Sequence, residues 1–300
     1  MSITHGFITI ATGDEQYYRM AVNLLRSYRY FTGSALPFAV LADRENEYTA
    51  EFDDVRLFPE ARRNYLDKLG MFDLLPYDVN IFIDADCLAY GDLNVLFDVF
   101  DSADDFSCFG RVLPLDDKTG WFEYENLGEL RPRVTNVIGL HGGIYYMRRT
   151  EKCREVFDTA MSLVPDYAKY KFKGRFATPG DEPLIALGMA LCGCRPIPHD
   201  QMYILCYWEH EGRMKLSVSR GSARDKMSGQ NTILVHFGTR FTKEPLYKKQ
   251  IADLCTLSGG KPRVGLIAHA VTYGIGSFAL AVRRFLRRAW NKTMRILRLK

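Results

Sequence analysis

The chain has 300 residues, of which 47% are hydrophobic, and its formal net charge is +4. It can bury one large core or two small ones, and with a net charge of −6 over residues 1–253 it is not a uniformly basic nucleic-acid binder. Seven scattered cysteines without a C-x-x-C pair favour reduced thiols in the cytoplasm over a disulfide framework. The first residues lead straight into a strand-like run, so we expect no signal segment there.

Strand-like and helical patterns alternate over the first hundred residues. The predicted strands are 7–11, 37–42, 55–58 and 81–83, with helical spacing in 17–28 and 65–75. This alternation predicts an α/β fold of βαβ units with a parallel, doubly wound sheet. Beyond residue 100 we expect a strand at 143–147, helices at 151–163 and 181–191, and a last apolar strand at 233–238.

A pair of carboxylates follows the apolar run 81–83 directly. Asp84 and Asp86, separated by Ala85, fall where a buried parallel strand would end. Ligands of open α/β sheets bind at that edge, and side chains two apart in an extended chain point to the same side. The carboxylates would then converge on a hard divalent cation, Mn²⁺ or Mg²⁺, shared with substrate phosphates. A turn rich in aspartate that merely ends a strand is the alternative.

Other side chains suit the same chemistry. His236 follows an apolar run and precedes Gly238, so it would add a nitrogen ligand for Mn²⁺, although a core or surface histidine is the alternative. Lys68 would contact a phosphate or the sugar, unless it is an ordinary helix-surface lysine. Tyr17 would stack on a nucleobase, and a core aromatic residue explains it equally well.

Five motifs in order resemble glycosyltransferase family 8, the retaining enzymes that include glycogenin and bacterial lipopolysaccharide galactosyl- and glucosyltransferases. They cover roughly residues 6 to 243 and comprise the segment 7–17, Lys68-Leu69 with 81–86, Leu140-His141-Gly142-Gly143-Ile144, Gly180-Asp181-Glu182-Pro183-Leu184 and His236-Phe237-Gly238. The family has an asparagine where this chain has His141 or Gly142, and a glutamine in place of Glu182. Its glycine-lysine-proline-tryptophan stretch is replaced here, so Arg240 or Lys243 is the expected cationic phosphate contact.

The resemblance implies a GT-A fold with a mixed, mainly parallel sheet, and retaining transfer of glucose or galactose from a UDP-sugar to a glycan or lipid-linked saccharide. It assigns Asp84, Asp86 and His236 to the metal ion, and Asp181 and Glu182 to the reaction centre. The donor contacts that it implies are Ala11, Thr12, Tyr17, Lys68, Asp84, Ala85, Asp86, His141, Gly143, Gly238, Arg240 and Lys243.

The C-terminal residues carry a different signal. Residues 254–300 contain ten Lys or Arg and no acidic residue. Apolar residues from Val282 to Leu297 recur at helical spacing, and seven basic residues occupy the opposite face, which predicts an amphipathic tail in the interface of an anionic membrane. Residues 264–282 lack charge but hold polar residues and glycines, so they are a poor transmembrane span. A surface helix or a disordered tail is the alternative.

These patterns predict a catalytic domain at 1–253 and a membrane-association tail at 254–300, peripheral on the inner face of the membrane, with no nucleic-acid partner. A sugar-phosphate nucleotidyltransferase is one alternative, but it would need a basic glycine-rich loop where this chain has the acidic Thr12-Gly13-Asp14-Glu15. A catalytically silent module that binds sugar nucleotides or membranes is the other.

Overall fold

The computed structural model describes residues 3–173 and 179–260, with isolated positions at 271, 275, 276 and 282. Within these residues the strands, in chain order, are β1 His5–Ala11, β2 Phe38–Ala42, β3 Asp54–Leu57, β4 Val79–Ile83, β5 Cys87–Ala89, β6 Phe106–Leu113, β7 Val137–Arg148, β8 Ile197–Pro198, β9 Leu205–Cys206, β10 Met214–Ser217, β11 Ser222–Asp225 and β12 Leu234–His236. The α-helices are α1 Glu15–Phe31, α2 Val95–Val99, α3 Glu151–Ser162, α4 Asp181–Cys192 and α5 Pro245–Leu257.

A seven-stranded sheet in the order β3-β2-β1-β4-β7-β6-β8 forms the centre of the molecule. Strands β1 to β4 are parallel, whereas β7 lies antiparallel to both β4 and β6. Every residue of β2 and of β4 is buried, as expected for strands covered by helices on both faces. The predicted α/β architecture is therefore confirmed, with antiparallel pairing added at β7.

The two faces of this sheet carry separate parts of the core. Phe7 of β1 packs with the buried face of α1, and the next residue, Ile8, packs with α3 and α4 on the other face. Successive strand side chains point to opposite faces, so β1 supplies both layers. The helices thus cover both faces of the sheet and leave the carboxyl ends of its strands for the site.

A smaller sheet in the order β5-β12-β9 lies beside the central one. Strand β12 is antiparallel to β5 and parallel to β9, and its register places His236 opposite both Cys87 and Cys206. Because β5 starts directly after the carboxylate pair, this register brings His236 next to Asp86. The last predicted strand is therefore confirmed, but it belongs to this second sheet.

Several boundaries differ from the sequence-based expectation. The strand predicted at 143–147 extends over Val137–Arg148, so His141 and Gly143 lie in a strand and not in a turn. The helix predicted at 65–75 is two 3₁₀ segments, Tyr65–Gly70 and Phe72–Leu74. Helix α5 continues past residue 253 to Leu257. Apart from the isolated positions, the predicted tail beyond residue 260 lies outside the described residues.

In the described part of the chain, no helix is both long enough and apolar enough to cross a bilayer.

Candidate active site

A tight turn joins β4 to β5 and carries both carboxylates. The Cys87 N–H donates to the Asp84 carbonyl at 3.0 Å, which closes a turn around the buried Ala85. The expectation of an extended chain through Ala85 is therefore wrong. Two bonds hold this turn between strands: the Asp84 N–H donates to the Gly143 carbonyl at 3.1 Å, and the Phe237 N–H donates to the Asp86 carbonyl at 3.1 Å. The carboxylates still meet, because these two hydrogen bonds fix the turn at both of its ends.

His236 lies against both carboxylates. Its Nε2 is 3.0 Å from Asp86 Oδ1 and 3.6 Å from Asp84 Oδ2, while its buried Nδ1 has no hydrogen-bond partner among the described residues. Burial lowers the pKa of this imidazole, but the Asp86 and Asp84 carboxylates outweigh burial and raise the pKa well above its ordinary value. The pKa of Asp86 is lowered despite burial, because His236 and a hydrogen bond from Thr239 Oγ1 at 3.2 Å favour the carboxylate.

Lys68 is the buried counter-charge of the site. Its Nζ is 2.8 Å from Asp84 Oδ1 and 3.0 Å from Asp181 Oδ2, and the side chain is only 14% exposed. Burial alone would lower the pKa of Lys68, yet the charges of Asp181 and Asp84 raise it, so the ammonium is retained. Lys68, which was expected to contact a phosphate or the sugar, therefore already binds two carboxylates.

The acidic pair at the start of α4 divides into two roles. Asp181 is buried and accepts hydrogen bonds from Lys68 and from the Tyr145 hydroxyl at 3.1 Å. Glu182 Oε1 accepts from the Gly142 N–H at 2.9 Å, and its side chain lines a cavity. Burial and the nearby Asp181 charge raise the pKa of Glu182 to about 7. Of the two, Glu182 is the carboxyl group that a ligand in the cavity would meet.

His141 lies beside the site, but the hydrogen bonds of its ring do not suit metal binding. The atoms of His141, Cys206 and His236 that could bind a metal lie within 4.8 Å of one another. However, His141 Nδ1 accepts from the Gly143 N–H at 3.1 Å, so the neutral ring carries its proton on Nε2, 2.8 Å from Cys206 Sγ. Burial and the His236 charge lower the pKa of His141 well below its usual value.

The other predicted donor contacts lie at varying distance from this centre. Ala11 ends β1, and the next residue, Thr12, donates its hydroxyl to Asp67 at 2.8 Å. Tyr17 is half-buried, and its pKa is raised by burial and by the charges of Tyr65 and Asp86, so it lies near the carboxylate turn.

The residues after His236 form a turn. Gly238 adopts a positive φ of 72°, which favours glycine. Arg240 and Lys243 are exposed, and the Arg240 guanidinium lies 5.3 Å from the centre of the Phe241 ring. The structure therefore places these two cations at the surface of the loop, not in the buried carboxylate cluster.

Sequence reasoning missed several residues of the site. Thr239 binds Asp86, and Trp121, Trp208 and Cys206 line the adjacent cavity. The sequence offered a signal for Thr239, which follows the histidine motif closely. It offered none for Cys206 and Trp208, because β9 has only two residues and pairs with β12, which is distant in sequence.

The residues of the cluster fit a hard divalent cation. Two carboxylates and one imidazole offer the mixed oxygen and nitrogen set that Mn²⁺ accepts, and Asp86 and His236 already lie at contact distance. Asp86, Cys87 and His236 form a group whose ligand atoms lie within 4.8 Å, with Asp84 on the same side of the imidazole at 3.6 Å. The described cluster is therefore a candidate site for a divalent cation.

No family model matches the sequence, and no curated protein matches it either.

Solved structures do resemble the chain. The galactosyltransferase LgtC, in complex with donor and acceptor sugar analogs, superposes with a TM-score of 0.54 at 13% identity, covering 85% of this chain and 95% of that one. The bifunctional glycosyltransferase WbbM gives a TM-score of 0.54 at 11% identity, over 90% of this chain and 52% of that one. An active-site mutant of LgtC gives 0.50 at 12% identity, again over 85% and 95%. At these identities the likeness concerns the fold, and the chain has the GT-A fold of these glycosyltransferases.

Proposed function

We propose that this protein is a metal-dependent, retaining glycosyltransferase that moves a glucose or galactose from a UDP-sugar to a glycan or lipid-linked saccharide. The observation that carries the proposal is the meeting of Asp84, Asp86 and His236 at the carboxyl edge of a GT-A sheet. That edge is where open α/β sheets bind their ligands. LgtC, which shares the fold, was solved with donor and acceptor sugar analogs.

Asp84, Asp86 and His236 would hold Mn²⁺ or Mg²⁺. When bound, this ion neutralises the diphosphate that leaves the donor sugar. Lys68 holds Asp84 in place for that task, since its Nζ lies 2.8 Å away, and its charge opposes the rise in the pKa of Asp84 that burial causes. Thr239 does the same for Asp86. Both contacts orient the carboxylates before the donor arrives, which is how enzymes gain electrostatic stabilisation without reorganisation.

Transfer with retention is supported by the resemblance alone. The bond between sugar C1 and the β-phosphate oxygen breaks, the acceptor oxygen bonds to C1 on the same face, and the acceptor proton passes to the departing phosphate. Glu182 lines the cavity, so it would stabilise the positive charge that develops at the sugar ring. Asp181, held by Lys68 and Tyr145, would add a second negative charge beside the reaction centre.

The enzyme would work at the inner face of a membrane. Residues 1–253 carry thirty basic and thirty-six acidic side chains, whereas residues 254–300 carry ten basic and no acidic ones. A net negative body is repelled by anionic lipid, so the basic segment has to provide the attraction. A lipid-linked saccharide would then be held near the site by the same surface.

The test combines donor binding with product analysis. In the wild-type protein, Mn²⁺ together with the correct UDP-sugar should raise the melting temperature, and the product should show an α linkage by NMR. Asp86→Ala should abolish transfer and the Mn²⁺-dependent shift while keeping the circular dichroism of the wild type. Full activity of Asp86→Ala, or of the wild type in excess chelator, would overturn the metal mechanism.

The same experiment separates the remaining alternatives. A β-linked product from an α-linked donor would overturn retention. Donor-dependent stabilisation without transfer or donor hydrolysis, for any saccharide offered, would identify a silent binding module instead of an enzyme.

A further inference from the structure

A cavity of about 220 Å³ opens beside the carboxylate turn. His236 and Glu182 line it, whereas Asp84 and Asp86 do not, so it extends from His236 away from the two carboxylates. Its volume is below the roughly 300–1,000 Å³ typical of sites for drug-sized molecules, which suits a small ligand such as one sugar ring.

Tryptophans are concentrated in this cavity. The chain has three, and the two that the structure describes, Trp121 and Trp208, both line it. The Trp121 Nε1–H donates to the Leu140 carbonyl at 2.9 Å, which fixes the indole in the wall. Two aromatic walls offer large apolar faces, and a sugar ring presents a face of C–H groups that packs on such a surface.

Trp208 is held in place but left open to solvent. Its ring centre is 4.9 Å from that of His236, in an edge-to-face arrangement, and a side chain at Gly238 would lie 3.2 Å from the indole. Despite this packing, Trp208 remains 41% exposed. An exposed indole fixed beside the candidate metal ligand offers a rigid apolar face to a ligand in the cavity.

Polar groups with both charges surround the indoles. Arg111 and Glu209 are exposed, and Glu182 and His236 also line the cavity, so its wall holds groups of both charges. His199 also lines the cavity, and its Nε2–H donates to the Ile204 carbonyl at 3.0 Å. Such groups can donate to and accept from hydroxyls, but their balance gives no excess positive charge for a phosphate or a carboxylate. The surroundings therefore suit a neutral sugar.

We propose that this cavity is the acceptor subsite, and that it binds the terminal, neutral monosaccharide of the acceptor with its ring stacked on Trp208. The proposal rests on the proposed function, because it takes the donor to lie over Asp84, Asp86 and His236. Glu182 then separates the two sugars, with the acceptor ring on the cavity side. A donor sugar in the same cavity is the competing occupant, and it predicts different effects of the same variants.

Intrinsic fluorescence gives a direct test. In a Trp290→Phe background, only Trp121 and Trp208 emit, so a sugar stacked on Trp208 changes the emission. The protein with UDP and Mn²⁺ is titrated with the methyl glycosides of glucose, galactose and N-acetylglucosamine. We expect a saturable change with at least one of them. Isothermal titration, which does not depend on the indole signal, should show at least about tenfold weaker binding in Trp208→Ala and near wild-type binding in Trp208→Phe.

Donor binding and donor hydrolysis are measured in the same variants. Trp208→Ala should leave the melting-temperature shift by Mn²⁺ and UDP-sugar unchanged and keep slow hydrolysis, while raising the acceptor KM. Wild-type glycoside affinity in Trp208→Ala, or no saturable response in the Trp290→Phe parent, would overturn the subsite. Loss of UDP-sugar binding in Trp208→Ala, with binding of UDP and Mn²⁺ retained, would assign the cavity to the donor sugar. If the wild type itself failed to bind any UDP-sugar with Mn²⁺, the proposed function would fail instead.

Discussion

At the scale of single residues, removal of the Lys68 side chain should lower the stability of the fold. Lys68→Met would leave the buried Asp181 and the half-buried Asp84 without their common partner, and removing one partner of a buried ion pair typically costs about 3–5 kcal/mol. We expect a loss of this size in the free energy of unfolding, measured by urea denaturation, together with weaker donor binding.

Two comparisons make that measurement specific. Adding Asp181→Asn to Lys68→Met should recover part of the lost stability, because one unpaired charge is removed. Lys118→Met, which breaks an exposed pair with Glu125, should change the unfolding free energy by less than about 1 kcal/mol. Equal effects of Lys68→Met and Lys118→Met would show that the buried cluster does not depend on this lysine.

Asp225 predicts a pH dependence of stability. It is 1% exposed and accepts from the Met227 N–H at 2.8 Å, from Arg213 at 2.6 Å and from His210 Nδ1 at 2.8 Å. The Met227 bond and these partners lower the pKa of Asp225 to about 2, against the opposing effect of burial. Because the folded pKa is below the unfolded one, the carboxylate stabilises the fold above about pH 4, and this contribution is lost as the pH falls towards 2.

Asp225→Asn should therefore be less stable than the wild type at pH 6, by about 1–2 kcal/mol. The difference should shrink between pH 4 and pH 2, as the wild-type carboxylate takes up its proton. Urea denaturation of both proteins at pH 6, 4 and 3 measures it. A difference that stays constant over this range would assign the effect of the substitution to lost hydrogen bonds alone.

At the scale of elements, the approach of β7 to β12 depends on Gly143. A Cβ at this position would lie 2.8 Å from His236 Nδ1 and 2.9 Å from His141 Cε1. Gly143→Ala should displace the imidazole from the carboxylates and weaken Mn²⁺ binding by about 10- to 100-fold, as other changes around metal-binding histidines do. Isothermal titration with Mn²⁺ checks this, with Gly33→Ala as the control, since a Cβ there meets nothing within 4 Å. Unchanged affinity would mean that His236 does not bind the metal.

Helix α4 packs on α3 through Gly188. In an open helix, Gly→Ala would gain about 1 kcal/mol, but a Cβ here lies 2.9 Å from the Val156 carbonyl oxygen, which cannot move alone. Overpacking of this kind typically costs about 1–3 kcal/mol, so Gly188→Ala should lower the free energy of unfolding. Thermal denaturation against wild type and Gly33→Ala measures it, and a rise in melting temperature would show that the two helices separate without cost.

The elements also show what sequence reasoning could reach. Strands β1 to β4 and helices α1, α3 and α4 were predicted with small boundary errors, because apolar periodicity is a local signal. The antiparallel entry of β7 and the pairing of β12 between β5 and β9 were not, since register depends on contacts between distant segments. The meeting of Asp84, Asp86 and His236 was predicted from their residue types and order. The place of Trp208 beside them could not be predicted, because it depends on the pairing of β9 with β12.

At the scale of the whole molecule, charge is divided between the body and the C-terminal residues. Removing residues 264–300 should release the protein from anionic vesicles and reduce activity on a lipid-linked acceptor much more than donor hydrolysis. Replacing Arg284, Arg287, Arg288 and Arg295 by Glu should have the same effect, and added salt should weaken binding of the wild type through screening. Co-sedimentation measures each case. Equal sedimentation of the truncated and full-length proteins would assign the segment to packing or to a protein partner.

The turn between β4 and β5 has one further consequence, for the nascent chain. Its two carboxylates are synthesised early, but Thr239, which binds Asp86, follows 153 residues later, and His236 arrives with it. A ribosome-bound or prematurely ended chain therefore holds the acidic half of the site without its imidazole. If the proposed function holds, such fragments lack part of the metal site and should not hydrolyse nucleotide sugar.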